Sequence, residues 1–265
     1  MMNPFHEALN ASDSNASART RPIIAIDGPA GAGKSTVAAH LARHFGFLNL
    51  ETGAMYRALA LKAIENDLDF DEEDPLLDLA AATRIRLEPQ IGGNRVLLDE
   101  IDVSNRVREA DVTAAASRVS VHPRLRAWMV EQQRALGCHG GVVMEGRDIG
   151  TTVFPDAEVK IFLDAAPEVR GDRRYRQVMS PRDPDGPTAR PSQERPTQEQ
   201  LAEQNKIVQE LKERDERDRN RAESPLRPAP DAVIVDSTSL TLNEVLEKAE
   251  EIVREHLAQE TFKKA

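Results

Sequence analysis

Hydrophobic residues in this chain gather into five short runs: Ile23-Ile24-Ala25-Ile26, Phe47 to Leu50, Gly141 to Met144, Val159 to Leu163, and Ala232 to Val235. Runs of this length, bounded by polar residues or glycine, predict strands buried on both faces. After the first run, Val37, Leu41 and Phe45 recur at helical spacing, and Gly46 supplies a stop. Strands separated by helical stretches predict an α/β fold, a parallel sheet with helices on both faces. Right-handed crossovers would then gather the C-terminal ends of the strands along one ligand-binding edge.

Two regions depart from this plan. Between Asp67 and Arg108 an acidic stretch precedes two alternating segments, Arg84 to Glu88 and Arg95 to Leu98, around Gly92-Gly93-Asn94. They predict a small antiparallel hairpin within an inserted subdomain. Between Ser180 and Thr197, prolines at 181, 184, 187, 191 and 196 exclude a continuous helix and predict a mobile loop. The chain has no internal repeat and no heptad array.

At 265 residues, 40% of them hydrophobic and 30% charged, the chain can bury one sizeable core with appended segments. No run approaches a membrane span. A formal net charge of −10 argues against broad coating of nucleic acid, although a local arginine cluster can still hold one anionic ligand. The single cysteine, Cys138, cannot form an intrachain disulfide; it is expected to be a small core filler in a reducing compartment. Residues 1 to 20 are rich in Ser, Asn and Ala and lack the apolar stretch of a secretory signal. They read as a flexible tail. Arg19 and Arg21 after a Ser-rich stretch would suit a targeting peptide, but Glu7 and Asp13 count against one, so a cytoplasmic location is expected.

Chemistry enters with Gly28-Pro29-Ala30-Gly31-Ala32-Gly33-Lys34-Ser35-Thr36, a glycine, four residues, then Gly-Lys-Ser, set between a strand and a helix. Such a loop turns successive backbone N–H groups around a phosphate, and the following helix adds the positive end of its dipole. Lys34 is expected to reach the β- and γ-phosphates and Ser35 to bind Mg²⁺. The loop alone fits a kinase, a GTPase switch or a motor. A guanine-reading Asn-Lys-x-Asp is missing, since Asn205-Lys206 is followed by Ile207 and Val208.

Glu51-Thr52-Gly53-Ala54-Met55-Tyr56-Arg57 follows the second apolar run, and Glu145-Gly146-Arg147-Asp148-Ile149-Gly150-Thr151 follows the third. Both should face the phosphate loop at the sheet edge. A charged run, Lys-Glu-Arg-Asp-Glu-Arg-Asp-Arg-Asn-Arg, occupies 212 to 221. Alternating charges usually mark a solvated helix face. Here Ile207 and Leu211 set an inward stripe, and continuing it by four and three places Arg214, Asp218 and Arg221 on the same side.

These segments, with Val153-Phe154-Pro155-Asp156-Ala157 and Val235-Asp236-Ser237-Thr238, closely resemble the bacterial type of cytidylate kinase among the P-loop nucleoside monophosphate kinases. The resemblance runs from about residue 21 into the C-terminal region. It implies five parallel strands, one kinase domain over 21–265, an insert beside the monophosphate site at about 67–108, and a lid over ATP at about 172–222. It implies ATP as phosphoryl donor, Mg²⁺, and CMP or dCMP as acceptor, with no nucleic-acid or membrane partner and a monomer as the working unit. Carried over by residue, it places Arg57, Arg147 and Arg221 on the CMP phosphate, with Arg214 and Asp218 near the sugar. Ser117, Arg126 and Asp148 are placed around cytosine, and Thr52 joins the acceptor side. Asp148 would accept from the cytosine amino group, whereas uracil presents an acceptor there, a mismatch of about 1–3 kcal/mol or more. UMP is therefore expected to be a poor substrate.

Arg173, Arg174, Arg217 and Arg219 are candidates for the ATP side. Glu145 would orient waters on Mg²⁺ or is a plain strand-end acid; Tyr56 packs beside the nucleotide or fills the cleft wall. Glu51 and Glu145 stand where many relatives carry Asp, and Thr52 where Ser is familiar; each keeps its charge or hydroxyl. His40 and His44 share a helix face without a third ligand nearby in sequence, which predicts a solvent-facing pair.

Overall fold

The computed structural model describes residues 19, 21–90, 93–179 and 197–264. From the N-terminal side, β1 (Ile23–Asp27) leads into α1 (Lys34–Phe45), β2 (Leu48–Glu51) and α2 (Thr52–Glu65). Then come α3 (Glu73–Ala81) and three short strands, β3 (Ile85–Gln90), β4 (Gly93–Leu98) and β5 (Ile101–Asp102). Two helices, α4 (Ala110–Val119) and α5 (Pro123–Gly137), return the chain to β6 (Val142–Gly146). The remainder is β7 (Val159–Asp164), α6 (Pro167–Met179), α7 (Gln198–Asn220), β8 (Val233–Asp236) and α8 (Leu242–Lys264).

Five strands pair in the order β2-β6-β1-β7-β8, and every pairing is parallel. They are the five apolar runs, each running on at its C-terminal end into a polar residue or glycine: Asp27, Glu51, Gly146, Asp164 and Asp236. Ladder hydrogen bonds use only backbone groups, so pairing continues past the last apolar side chain. This carries carboxylates to the ligand-binding edge. β1 lies at the centre, buried throughout, and its alternating side chains feed two cores. Ile23 and Ala25 pack with residues of α2, α4 and α5, whereas Ile24 and Ile26 pack with residues of α1 and α8. Gly46 ends α1 in the left-handed region at φ 65°, which costs an L side chain energy that glycine avoids.

The hairpin is antiparallel, as the alternation predicts, but longer than the two segments read from sequence, pairing Ile85 with Leu98 through Gln90 with Gly93. Gly93 and Asn94 belong to β4 and not to the turn. Asn94 is buried; its Oδ1 accepts from the Glu51 N–H at 2.8 Å and its Nδ2 donates to the Asn49 carbonyl at 2.7 Å. One amide thus ties the edge strand β2 to the smaller sheet. Cys138 is exposed and not a core filler, because α5 ends at Gly137 and the cysteine caps it. The expected flexible tail, apart from Arg19, and the expected proline-rich loop at 180–196 lie outside the described residues, as does Gly92. Among the described residues, no helix is long and apolar enough to cross a membrane.

Candidate functional site

The phosphate loop joins β1 to α1, with β7 behind it. Gly28 has φ 148°, and a Cβ there would run into the Leu163 carbonyl oxygen, so only glycine fits. Lys34 is buried and folds back, its Nζ donating to the Pro29 carbonyl at 2.7 Å. Burial holds its ammonium below the ordinary lysine range, and Arg147 adds to the effect. Ser35 Oγ donates to Glu145 Oε2 at 3.0 Å, while Glu145 Oε1 is enclosed and without a partner. Glu51 lies opposite Glu145 in the β2–β6 ladder. Burial, with Glu51 second, lifts the Glu145 carboxyl above the usual range. The two residues expected at the metal are therefore in contact at the C-terminal end of β6. Thr52, at the start of α2, donates its hydroxyl to the Glu145 carbonyl at 2.7 Å, which leaves Oγ1 only as an acceptor for any ligand.

The arginines expected at the acceptor phosphate come from three elements. Arg57 on α2 pairs with Glu51 at 2.5 Å. Arg147, just after β6, bonds Asp218 of α7 at 2.9 Å. Arg221, capping the C-terminal end of α7, lies 3.6 Å from Asp218 Oδ1 and donates its Nε to the Asp218 carbonyl at 3.2 Å. Burial raises the Asp218 pKa but Arg147, Arg221 and Arg214 outweigh it, holding the carboxyl below the usual range. Arg214 is pulled down to about 10 by burial and next by Arg147, so it remains cationic at neutral pH. The Nε of Arg57, the Nε of Arg214 and Nη2 of Arg221 are enclosed without partners.

Deeper in, Arg126 on α5 pairs with Asp148 at 2.5 Å and donates Nη1 to the Ser120 carbonyl at 3.2 Å. Both members of the pair are buried, as is Ser117 on α4, whose Oγ has no partner. Tyr56 lies under this group, its ring centroid 5.6 Å from the Arg126 guanidinium carbon. Burial lifts its hydroxyl to about 12. Arg126, Asp148 and Tyr56 are thus brought together from three separate segments, and Ser120, which bonds both Arg126 and the Ser117 carbonyl, ties the end of α4 to them.

The four ATP-side candidates separate. Arg173 reaches the phosphate loop, donating to the Ala32 carbonyl at 3.4 Å and to Ser237 Oγ and carbonyl at 3.0 and 2.8 Å. Arg174 bonds Gln177 on its own helix. Arg217 is exposed beside Glu213 and Glu216. Arg219 is also exposed and faces a cleft of about 730 Å³ between α6, α7 and the ends of β7 and β8.

Sequence reasoning missed three residues here. Arg170 is only 1% exposed; it donates to the Ala30 carbonyl of the loop at 2.9 Å and to Ala165 at 2.8 Å, and pairs with Asp215 at 2.6 Å. It joins the phosphate loop to α7. The signals were present: Arg170 precedes Arg173 by three on α6, and Asp215 follows Leu211 by four on the buried stripe. Asp27 accepts from the N–H groups of Ile149 and Gly150, both at 2.8 Å, and so holds the turn that carries Asp148. Burial pushes its carboxyl up to about 6 from 3.8, and Asp148 adds to the rise, against those two bonds and Lys34.

A family model described as cytidylate kinase matches residues 24–255. The cytidylate kinase of Pelotomaculum thermopropionicum is 47% identical over 85% of this chain and 92% of its own length. That of Solibacter usitatus is 45% identical over 88% and 93%, and that of Vibrio parahaemolyticus 41% identical over 90% and 98%.

The chain belongs to the cytidylate kinase family. It is therefore a kinase, and its five-stranded parallel sheet is that of a P-loop nucleoside monophosphate kinase.

Two predictions follow from the buried charges. Asp215→Asn leaves the Arg170 guanidinium without its counter-charge and should lower the unfolding free energy by about 3–5 kcal/mol in urea titrations. The double change Arg170→Met with Asp215→Leu should recover much of that loss; equal losses in single and double variants would contradict the pairing. For Asp27, the folded pKa lies above the unfolded one, so ionisation opposes folding. Its contribution is fully present below pH 4 and is lost as pH rises through about 6, a change of about 3 kcal/mol. The stability of the wild type relative to Asp27→Asn should fall across that window, and a flat difference would refute the assignment.

Proposed function

We propose that this chain transfers the γ-phosphoryl group of ATP to CMP or dCMP, giving CDP or dCDP, and that UMP is a poor substrate. The observation that carries the reading is the buried Arg126–Asp148 pair, tied through Ser120 to the end of α4 that bears the unpartnered Ser117 Oγ. Arg126 holds one carboxylate oxygen of Asp148 and so aims the other as an acceptor for the cytosine amino group. Ser117 and the unpartnered Nε of Arg126 are the donors for O2 and N3. The names of the relatives support the same acceptor.

The donor phosphates would rest on the backbone N–H groups of Gly28 to Thr36, with Lys34 released from the Pro29 carbonyl to meet them. An anion beside Lys34 reverses the effect of burial and favours its charged form. For Mg²⁺, the donor set fits: a serine hydroxyl in contact with a carboxylate whose second oxygen is enclosed and unpartnered suits a hard cation with oxygen ligands. Ser35 would bind the ion directly and Glu145 would orient its waters; when bound, the ion neutralises charge on the phosphates. Arg57, Arg147 and Arg221 would hold the acceptor phosphate, Arg214 and Asp218 the sugar, and Thr52 and Tyr56 the cleft wall. Arg173 would steady the loop, leaving Arg174, Arg217 and Arg219 as the lid residues that meet ATP on closure. The acceptor oxygen is already anionic near neutral pH, so positioning and charge neutralisation supply the rate without a strong general base. A monomer in the cytoplasm completes the reading, the lone Cys138 being compatible with a reducing compartment.

A coupled ADP-release assay across CMP, dCMP, UMP, AMP and GMP tests the reading. CMP and dCMP should exceed UMP in kcat/KM by about 10–200-fold; preferred use of AMP or GMP would overturn it. Asp148→Ala should narrow the CMP-over-UMP ratio, and an unchanged ratio would remove Asp148 from base recognition. Lys34→Ala should lower kcat by about 10²–10³.

A further inference from the structure

The helix that follows the phosphate loop carries a second group of ligand-bearing side chains, away from the nucleotide cleft. His40 and His44, one turn apart on α1, had no third ligand in the sequence around them. The C-terminal helix supplies it. Glu250 of α8 places one carboxylate oxygen, Oε1, 2.5 Å from His40 Nε2 and 3.4 Å from His44 Nδ1. The three ligand atoms all lie within 4.8 Å of one another. The second oxygen, Oε2, is held by Arg254 from the next turn of α8.

We propose that His40, His44 and Glu250 form a binding site for a divalent metal of the zinc class, clasping α8 to the phosphate-loop helix. Two imidazoles and one carboxylate with an open fourth position match what Zn²⁺ accepts, whereas Mg²⁺ prefers an all-oxygen shell and stays at the nucleotide site. Donors bound at about 2.0–2.2 Å to a tetrahedral ion lie about 3.4 Å apart. The His44–Glu250 separation already has that value, and His40 must retreat by about 1 Å. The hydrogen that His40 Nε2 directs at Glu250 passes to Nδ1 by a change of tautomer, which frees Nε2 for the metal. The side chains of His40, His44 and Glu250 are 26%, 38% and 15% exposed, which leaves an entry path and room for water as the fourth ligand.

Arg254 bears on the site in two ways. Its bond to Oε2 orients the carboxylate, the role outer partners play around metal ligands. Its other contact, to His44 Nε2 at 3.1 Å, requires a lone pair on that nitrogen. When Nδ1 takes the metal, the hydrogen moves to Nε2, so this contact opens; the Arg254 side chain is 55% exposed and has solvent to move into.

The test is calorimetric titration of the untagged, chelator-stripped full chain with ZnCl₂ in buffer containing Mg²⁺, with melting curves alongside. One Zn²⁺ should bind per chain, and Tm should rise with zinc in excess. His44→Ala and Glu250→Gln should each weaken binding by about 10–100-fold and remove the Tm rise, while nucleotide phosphorylation without zinc reports that the variants are folded. Absence of saturable binding would overturn the proposal. So would binding by both variants as tight as that of the unsubstituted chain, which would move the ion to another ligand set such as Cys138 and His139.

Discussion

Uncompensated positive charge is the constraint on which this cleft depends. Arg147 and Arg57 act electrostatically on Arg214, and Arg126 on Arg221, while Asp218, Glu51 and Asp148 are the carboxylates bonded among these five arginines. An enclosed guanidinium lacking a full set of partners costs several kcal/mol, and the depression of Arg214 to about 10 is a sign of that cost. A phosphate relieves it with several charge-assisted bonds at once. The whole chain carries a net charge of −10, so the basic cleft is a local feature that focuses anions in an otherwise acidic protein.

The fold supplies what such a cluster needs. Parallel strands end together, so Asp27, Glu51 and Glu145 arrive at one edge without any loop having to reach inward. β1 orients the turn carrying Asp148 through Asp27. The smaller sheet fixes Glu51 through Asn94. Arg170 joins the loop carbonyl of Ala30 to Asp215 on α7, so the helix bearing Arg214, Asp218 and Arg221 is anchored to the phosphate loop. The phosphate loop and the arginine cluster are thereby linked through buried charge pairs, whose geometry is more restrictive than apolar packing.

Much of this was legible in the sequence where the signal is local. The five apolar runs gave the five strands because buried parallel strands need no alternation, and the loop from Gly28 to Thr36 is its own signature. The stripe on α7 was legible as Leu211, Arg214, Asp218 and Arg221, yet Asp215 belongs to the same face and was passed over as one more charge in an alternating run. What could not be read was partnership across the chain. Asn94 looked like turn material because its two bonds go to β2, and Arg170 like a helix-surface charge because its partners are a loop carbonyl and a distant aspartate. Glu250 completes a pair of histidines from the far end of the chain. Cys138 was misplaced because a helix end, which sequence locates poorly, decides whether it is covered.

The central claim is that one cleft holds a triphosphate donor and a cytidine monophosphate acceptor end to end. Calorimetric titration with adenosine and cytidine joined through a five-phosphate bridge measures it directly, with the uridine counterpart as comparison. The account predicts one site per chain, affinity well above that for ATP or CMP alone, and weaker binding of the uridine compound by about 10–200-fold. Binding no tighter than ATP, or equal for the two compounds, would contradict it.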